Sequence, residues 1–394
     1  MPDWKEIESR VFMTTGRRVP VVFVKGEGSR LWDDTGKQYL DFFQGIAANS
    51  LGHCHPVVVK ALEEQGRTLI QVSNVYYTIP QLQLAELLVD NSCFDRIYFQ
   101  NSGTEANEAA IKLVRKWGRD HKNGAFEIVS AVDSFHGRTL AAITATGTPR
   151  YSEPFGPLPP GFLHVPYNDI EALQNATTPQ TCAIFLEPIQ GEGGVNVPNP
   201  SYMPAVRKWC DDNNILLVAD EVQTGMCRTG PLFAYQGMDF EPDIMTLAKG
   251  IGSGVPLGAI MAKEHCAVFT PGDHGSTISG NPLATAVGYA ITKYMLDNDL
   301  PTRVEKVGSF IMGRLDALKA KYPVVSGARG KGLLIALAFN SDIAEKVTSD
   351  CMAHGLVVNN VRPNAVRMAP ALTVTNEEVD EALQILEGAI SRAA

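Results

Sequence analysis

Between residues 60 and 330 the chain repeats one unit, a run of four or five apolar residues followed by a longer stretch of helical periodicity. The runs are Arg96–Phe99, Phe126–Val129, Ala183–Leu186, Ile215–Ala219 and Ile244–Leu247, and Glu105–Trp117 and Tyr202–Asp211 are two of the helical stretches. A strand that is apolar on both faces has to be covered on both, which a mostly parallel sheet between helices achieves. The rhythm therefore predicts an α/β fold. Residues 20–45 differ: short β-rich runs, Val21–Val24 and Arg30–Asp33, alternate with glycine turns and predict a small hairpin region. After a helical crossover over 281–320, strands (Gly332–Phe339, Leu356–Val358, Val366–Met368) mix with helices (Asp342–His354, Asn376–Arg392), as in a smaller α+β domain.

Charge and cysteine usage narrow the partners. With 43 acidic against 34 basic side chains the net charge is −9, which offers no basic field to nucleic acid or to an anionic membrane surface. No run of about 18 apolar residues occurs, and the charged start Met1–Glu6 does not read as a signal peptide. The seven cysteines are odd in number, scattered, and form no C-x-x-C pair, so reduced thiols and a cytoplasmic address are expected. His53-Cys54-His55 suggests a metal at first sight. Neighbours on an extended stretch point to opposite faces, however, and no third ligand follows at a zinc-like spacing, so no metal is expected.

In an open α/β sheet ligands bind beyond the carboxyl ends of the strands, and four such places carry chemistry. After Arg96–Gln100 comes Asn101-Ser102-Gly103-Thr104-Glu105, in which Ser102 and Glu105 form an S-x-x-E cap and leave free N–H groups beside a glycine, either an ordinary capped helix or an anion site. After Ile215–Val218 comes Asp220, a buried carboxylate that needs a salt-bridge partner or a protonated ligand nitrogen. After Ile244–Leu247 comes Lys249, flanked by apolar residues and a glycine run, either a nucleophilic amine or a lysine reaching solvent. The fourth, Ser134-Phe135-His136-Gly137-Arg138, offers an aromatic face and a guanidinium within four residues. Each has an innocent reading alone. Taken together, a phosphate cradle, a strand-end Asp, an aromatic and a lysine are the parts needed to hold pyridoxal phosphate.

The sequence also resembles a known family, the class III (subgroup II, fold type I) aminotransferases. The resemblance runs in order through Gly45–Pro56 (GIAANSLGHCHP), Asn101–Glu108 (NSGTEANE), Ser134–Thr139 (SFHGRT), Glu187–Gly194 (EPIQGEGG), Asp220–Gly225 (DEVQTG), Leu247–Gly250 (LAKG) and His274–Thr277 (HGST). It implies the fold type I architecture, with a large pyridoxal-phosphate-binding domain with a mostly parallel sheet over 61–320, a small α+β domain over 321–394, and a segment 1–60 that contributes to the small domain. Carried over, it implies that Lys249 binds the cofactor and moves the substrate proton, that Asp220 meets the ring nitrogen and Gln223 the ring hydroxyl, and that Phe135 stacks on the ring. Ser102 and Val222 complete the cofactor contacts. Gly103 and Thr104 would take the phosphate together with Thr277 of the partner subunit, in a homodimer with shared sites. Arg138 would hold the distal carboxylate of the substrate, near Ser276 of the partner subunit. Arg367 would receive the α-carboxylate of glutamate, and Glu192 would cover Arg367 when the other substrate is bound.

Within the family the blocks come nearest to the branch that moves the terminal amine of N2-acetylornithine to 2-oxoglutarate, giving N-acetylglutamate 5-semialdehyde and glutamate in arginine biosynthesis. N-succinylornithine, N-succinyl-diaminopimelate, ornithine and 4-aminobutyrate are the neighbouring substrates, since a small change in an acyl pocket is worth only about 1–3 kcal/mol. An amino-group isomerase or a non-catalytic regulator is the alternative from another class. Departures from the family pattern are Cys227 before Arg228, Ser253, Ile278-Ser279, and Ile46, where ornithine aminotransferases carry a tyrosine that holds the free amino acid.

Overall fold

A computed structural model describes residues 4–393, so that Met1–Asp3 of the charged start and Ala394 lie outside the described residues. After a helix Trp4–Val11 that the sequence pattern did not announce come three short strands, β1 (Phe23–Glu27), β2 (Arg30–Asp33) and β3 (Gln38–Asp41). Seven more follow: β4 (Arg96–Gln100), β5 (Glu127–Ala131), β6 (Phe162–Val165), β7 (Thr181–Leu186), β8 (Leu216–Asp220), β9 (Ile244–Leu247) and β10 (Gly258–Ala262). The last five are β11 (Val325–Lys331), β12 (Leu334–Phe339), β13 (Leu356–Val357), β14 (Asn359–Arg362) and β15 (Ala365–Met368).

Strands β4 to β10 form one sheet in the order β4-β10-β9-β8-β7-β5-β6. All pairings from β9 to β6 are parallel, and β10 alone runs backwards, antiparallel to both β4 and β9. The period of two along each strand sorts its residues into two cores. Ile128, Ala183, Leu216 and Val218 join the cluster under helix Gly103–His121, which contributes Ala109, Ala110, Leu113, Val114 and Trp117. Their neighbours Val129, Ile184, Leu217 and Ala219 face the opposite core, shared with helices Tyr202–Asp212 and Pro282–Asp297. Each fully buried Val, Leu or Ile adds about 1.5–3 kcal/mol relative to exposure, so both helical layers are required.

The expected α/β architecture is present, with differences at its margins. Strands β6 and β10 were not expected; β10 follows a glycine run and has the small, apolar sequence Gly-Ala-Ile-Met-Ala. The crossover is two helices, Pro282–Asp297 and Leu300–Lys321, separated at Asp299 by a left-handed residue (φ 47°). Strand β11 contains Gly327 and Gly330, which mask it in sequence, yet it pairs with β12 as a hairpin in the sheet β11-β12-β15-β14. Strand β13 pairs in parallel with β3, Leu356 opposite Leu40, so the third sheet joins the two ends of the chain. With β4, β5, β7, β8 and β9 pointing the same way, Gln100, Ala131, Leu186, Asp220 and Leu247 end at one edge, and the four predicted segments leave from that edge.

Candidate active site

At the end of β4 the chain turns into helix Gly103–His121, whose first turn is capped as expected: the Ser102 hydroxyl accepts from Glu105 N (3.4 Å). The Glu105 carboxylate reaches one residue further back than the usual box, accepting from Asn101 N (2.8 Å) and the Ser102 hydroxyl (3.2 Å). Gly103 N and Thr104 N find no acceptor among the described residues, and both residues line the cavity, so the helix N-terminus keeps two free donors beside it. Thr104 is fixed by its hydroxyl, paired with Thr139 (2.9 Å) and accepting from Arg138 N (3.3 Å).

Asp220 closes β8 and is 3% exposed. Its Oδ2 accepts from Asn107 Nδ2 (2.8 Å) and lies 2.7 Å from His136 Nδ1, while Oδ1 accepts from Val222 N (3.0 Å). His136 is held flat against Phe185, ring centroids 4.5 Å apart, and its backbone N donates to Thr146. Among the described residues no Lys or Arg forms a hydrogen bond or ion pair with Asp220. A buried carboxylate served by amide, imidazole and backbone donors keeps acceptor capacity for a cationic ligand atom on its open side.

Lys249 follows β9 in a left-handed conformation (φ 45°), and among the described residues its Nζ makes no hydrogen bond or ion pair. Burial lowers its pKa below the ordinary lysine value; the nearby Glu192, Asp220 and Glu187 charges oppose the shift and Arg367 adds to it. A buried lysine amine without a hydrogen-bond partner, its pKa lowered by burial, is in the environment of a nucleophile.

The far side holds a charge pair. Arg367 on β15 is 2% exposed, and its Nη1 donates to Glu192 Oε1 (2.5 Å) and to Gln223 Oε1 (3.1 Å), while Nε donates to Asn359 Oδ1 (3.2 Å). Gln223 Nε2 returns to Glu192 Oε1 (3.1 Å). Burial pushes the Glu192 carboxyl upward, but the Arg367 and Lys249 charges and the two side-chain hydrogen bonds outweigh it, and the net effect holds the group below the usual carboxylate range. Glu187, by contrast, is raised to about 7 by burial and by the charge of Asp220, in spite of donors at Phe135 N (3.0 Å) and Gly191 N (2.9 Å).

One cavity of about 420 Å3 is lined by ten of the predicted residues, Ser102, Gly103, Thr104, Phe135, Arg138, Glu192, Asp220, Val222, Gln223 and Lys249. Arg138 is exposed, with its guanidinium over Tyr151 (4.1 Å) and Phe135 (5.4 Å). Arg367 stands behind Glu192 and does not line the cavity. Ser276 and Thr277 also lie outside its lining; Ser276 Oγ accepts from Asn101 Nδ2 (3.1 Å), and Thr277 is exposed, its carbonyl taken by Gln71 Nε2 (2.5 Å). Ile46 sits in a left-handed turn, Gln44–Ala47, whose start is held by Asp41 Oδ1 accepting from Phe43 N and Gln44 N, and Ala48 just beyond reaches the cavity wall. The residues His53 and His55 are engaged elsewhere, with Asp41 (2.7 Å) and as the cap of helix Pro56–Gly66. Sequence reading missed Asn107, His136 and Glu187. The signal for Asn107 was present: it occupies the same buried helix face as Ala106 and Ala110 and must therefore have a partner in the sheet.

The sequence profile described as Aminotransferase class-III matches residues 12–390. The acetylornithine aminotransferase of Caldanaerobacter subterraneus is 49% identical over 385 residues, 98% of either chain. Among solved structures, the Elizabethkingia anophelis acetylornithine aminotransferase superposes with a TM-score of 0.88 at 34% identity, covering 99% of this chain and 98% of that one. The Toxoplasma gondii ornithine aminotransferase, with pyridoxal phosphate partially occupying its active site, gives 0.95 at 34% identity, covering 99% and 94%. Matched along nearly its whole length in sequence and in structure, the chain belongs to the class-III aminotransferases.

Proposed function

We propose that this protein transfers the terminal amino group of N2-acetylornithine to 2-oxoglutarate, using pyridoxal phosphate, as a cytoplasmic homodimer. The observation that carries the substrate reading is the Glu192–Arg367 pair at 2.5 Å. A single cavity has to accept glutamate, which brings an α-carboxylate to its amine end, and a substrate whose reacting amine is terminal and brings none. A fixed bare guanidinium would suit only the first, and a guanidinium that a carboxylate can cover suits both. Ile46, two residues before the cavity-wall residue Ala48, offers no hydroxyl for a free α-amino group, which favours an acylated amine over ornithine. The 49% identical acetylornithine aminotransferase points the same way.

The residues fit the cofactor: two free helix N–H groups, a buried carboxylate that no lysine or arginine bonds among the described residues, and a lysine without a hydrogen-bond partner open on one cavity. When bound, pyridoxal phosphate supplies a carbonyl that exchanges amino groups and a ring that withdraws electrons from the carbon losing its proton. Gly103 N and Thr104 N would bind its phosphate at the helix N-terminus. Asp220 would hold a proton on the ring nitrogen, itself oriented by His136 and Asn107, while Phe135 and Val222 with Ser102 bound the ring. Lys249 Nζ would hold the carbonyl carbon until a substrate amine displaces it, and would then carry the proton to and from the substrate carbon, a role that the lowering of its pKa by burial favours. Gln223 would divide its amide between the ring hydroxyl and the Glu192–Arg367 pair, and Arg138 would take the distal carboxylate.

The dimer rests on an unfinished rim. Val75, Tyr76, Tyr77, Ile79 and Ile278 are exposed, Tyr77 at 91%, next to a 276–279 segment tied to Gln71 and Asn74. Covering that rim with a second copy would bring Ser276 and Thr277 to the partner's cavity, the reading under which both residues belong to the site. The β3–β13 pairing supports the matching division, a large cofactor domain over 61–320 and a small domain built from 321–394 with help from 1–60. Among the described residues no helix is long and apolar enough to cross a membrane.

The test is a panel of donors, N2-acetylornithine, N-succinylornithine, ornithine and 4-aminobutyrate, each with 2-oxoglutarate. The acetylated amine is expected to have the highest kcat/KM, and the Lys249→Ala variant to lose at least about 10³-fold with every donor. A preference for ornithine, or turnover without a 2-oxoacid, would overturn the reading.

A further inference from the structure

The Glu192 exchange needs a carboxylate that moves on a backbone that does not. Residues 190–196 form a tight turn closed by a two-way backbone bridge, Gln190 N to Asn196 O (3.1 Å) and Asn196 N to Gln190 O (3.0 Å). Asn196 Nδ2 crosses the turn to Gln190 Oε1 (2.9 Å) and Gly193 O (3.1 Å), and Gln190 Nε2 anchors it to Val132 O (2.8 Å). From the other side two arginines of the C-terminal sheet reach in. Arg362 on β14 donates through Nε to Gly193 O (2.8 Å) and through Nη2 pairs with Asp133 (2.6 Å), just before the Phe135 segment. Arg329 on β11 donates through Nε to Gly194 O (2.8 Å).

The fit is tight enough to dictate the residues. A Cβ at Gly193 would sit 2.7 Å from Asp133 O, and one at Gly194, where φ is +119°, 3.0 Å from Arg329 Nη2. Neither arginine lines the cavity or hydrogen-bonds to Glu192 or Lys249, and neither has any part in the transfer described above. They belong, however, to the sheet that carries Arg367: β14 pairs with β15, Asn359 opposite Arg367. The same sheet therefore holds the turn by its carbonyls and the switch by its carboxylate.

We propose that Arg362 and Arg329 are positioning residues that clamp the 191–195 turn to the sheet bearing Arg367, so that Glu192 covers and uncovers Arg367 by side-chain rotation alone. The proposal rests on the gate reading of Glu192. Without the clamp the turn drifts from β15, Glu192 covers Arg367 less often, and a donor that brings no α-carboxylate meets a bare guanidinium. Glutamate, which displaces Glu192 anyway, is affected little.

The experiment uses the holoenzyme of Arg362→Met and Arg329→Met, each with and without Glu192→Ala. Amide hydrogen exchange of the peptide spanning 190–196 is expected to quicken about 10-fold or more in each arginine variant, with the exchange of β8 and β9 unchanged. Single-turnover kcat/KM for N2-acetylornithine is expected to fall about 10-fold while that for glutamate stays within about twofold, and in the Glu192→Ala background the arginine change should add less than about twofold, because coupled residues are not additive. Unchanged exchange, equal losses for both donors, or full multiplication with Glu192→Ala would overturn it. The two readings fail separately. Equal losses from Glu192→Ala alone would sink the gate and with it the clamp's purpose, whereas a selective Glu192→Ala with unselective arginine variants would sink only the clamp. Should Arg362→Met fail to fold, Arg329→Met carries the same test.

Discussion

Asp220 and Glu192 line one cavity and are both carboxylates, but the protein surrounds them with different kinds of donor. Around Asp220 the donors are an amide on helix Gly103–His121, an imidazole on the loop after β5 and a backbone N–H on the turn after β8. Around Glu192 they are a guanidinium and one amide, and the carboxylate keeps 31% of its side-chain surface exposed where Arg367 keeps 2%. Donors that include no guanidinium or ammonium orient a buried charge and leave an open side for a cationic ligand atom. A guanidinium cancels the charge outright, at a bond that another carboxylate can replace without leaving either group unpaired. On the proposed function, the sheet-edge half of the cavity is the permanent one and the β15 half the exchangeable one.

The largest effect should come from the permanent half. Asp220→Asn removes the anion but keeps the shape, and both half-reactions are expected to lose about 10²–10³-fold in kcat/KM, the range seen when one preorganised electrostatic partner is removed. Stopped-flow with glutamate and with N2-acetylornithine separately checks it. A loss confined to one donor would place Asp220 among the exchangeable groups. Next comes Arg367→Met, expected to cost glutamate about 10²-fold, since a substrate carboxylate loses its buried bidentate-capable partner, while N2-acetylornithine loses far less.

These two predictions also separate what was legible in the sequence from what was not. Asp220 and Lys249 stood out because a charged residue at the end of an apolar run has no place to go but the ligand edge, and that inference needs only local pattern. His136 and Asn107, which orient Asp220, lie 84 and 113 residues from it, and nothing in their own neighbourhoods tells that they converge there. Strand β10 was lost for a similar reason. Its two neighbours accept it in reverse, and a short Gly-Ala-Ile-Met-Ala run carries no sign of direction. Arg329 and Arg362 were invisible as partners of the 191–195 turn because they bind backbone carbonyls, and a carbonyl leaves no trace in residue identity.

Glu192→Ala gives a smaller and opposite selectivity. With the cover gone Arg367 is always bare, so glutamate should keep its kcat/KM within about twofold, while N2-acetylornithine loses about 10-fold, equivalent to about 1.4 kcal/mol. Parallel losses would mean that the β15 half is as permanent as the sheet edge. Combined with Arg367→Met, Glu192→Ala should cost little more than Arg367→Met alone, since each removes what the other serves.

A change in stability rather than in turnover is expected at Glu187, the point where the two halves meet. One carboxylate oxygen accepts from Phe135 N on the permanent side and the other from Gly191 N on the exchangeable side. Its pKa is raised from 4.5 to about 7, chiefly by burial and then by the charge of Asp220, with His136 opposing. An acid whose folded-state pKa lies above its unfolded value favours folding most below the unfolded value, because the native state retains a proton that the unfolded chain gives up. That contribution declines as pH climbs from about 4.5 and is gone above about 7, a fall of up to about 3 kcal/mol at 1.36 kcal/mol per unit. Glu187→Gln removes the titration, so its stability relative to the unaltered protein should improve steadily between pH 5 and 7.5, whatever the offset from the lost hydrogen bond. Urea midpoints across that range read the slope directly. A difference that stays flat with pH would mean that Glu187 is already ionised at pH 5, with the two N–H donors dominating over burial, and the junction between the halves would then be as firmly charged as Asp220 itself.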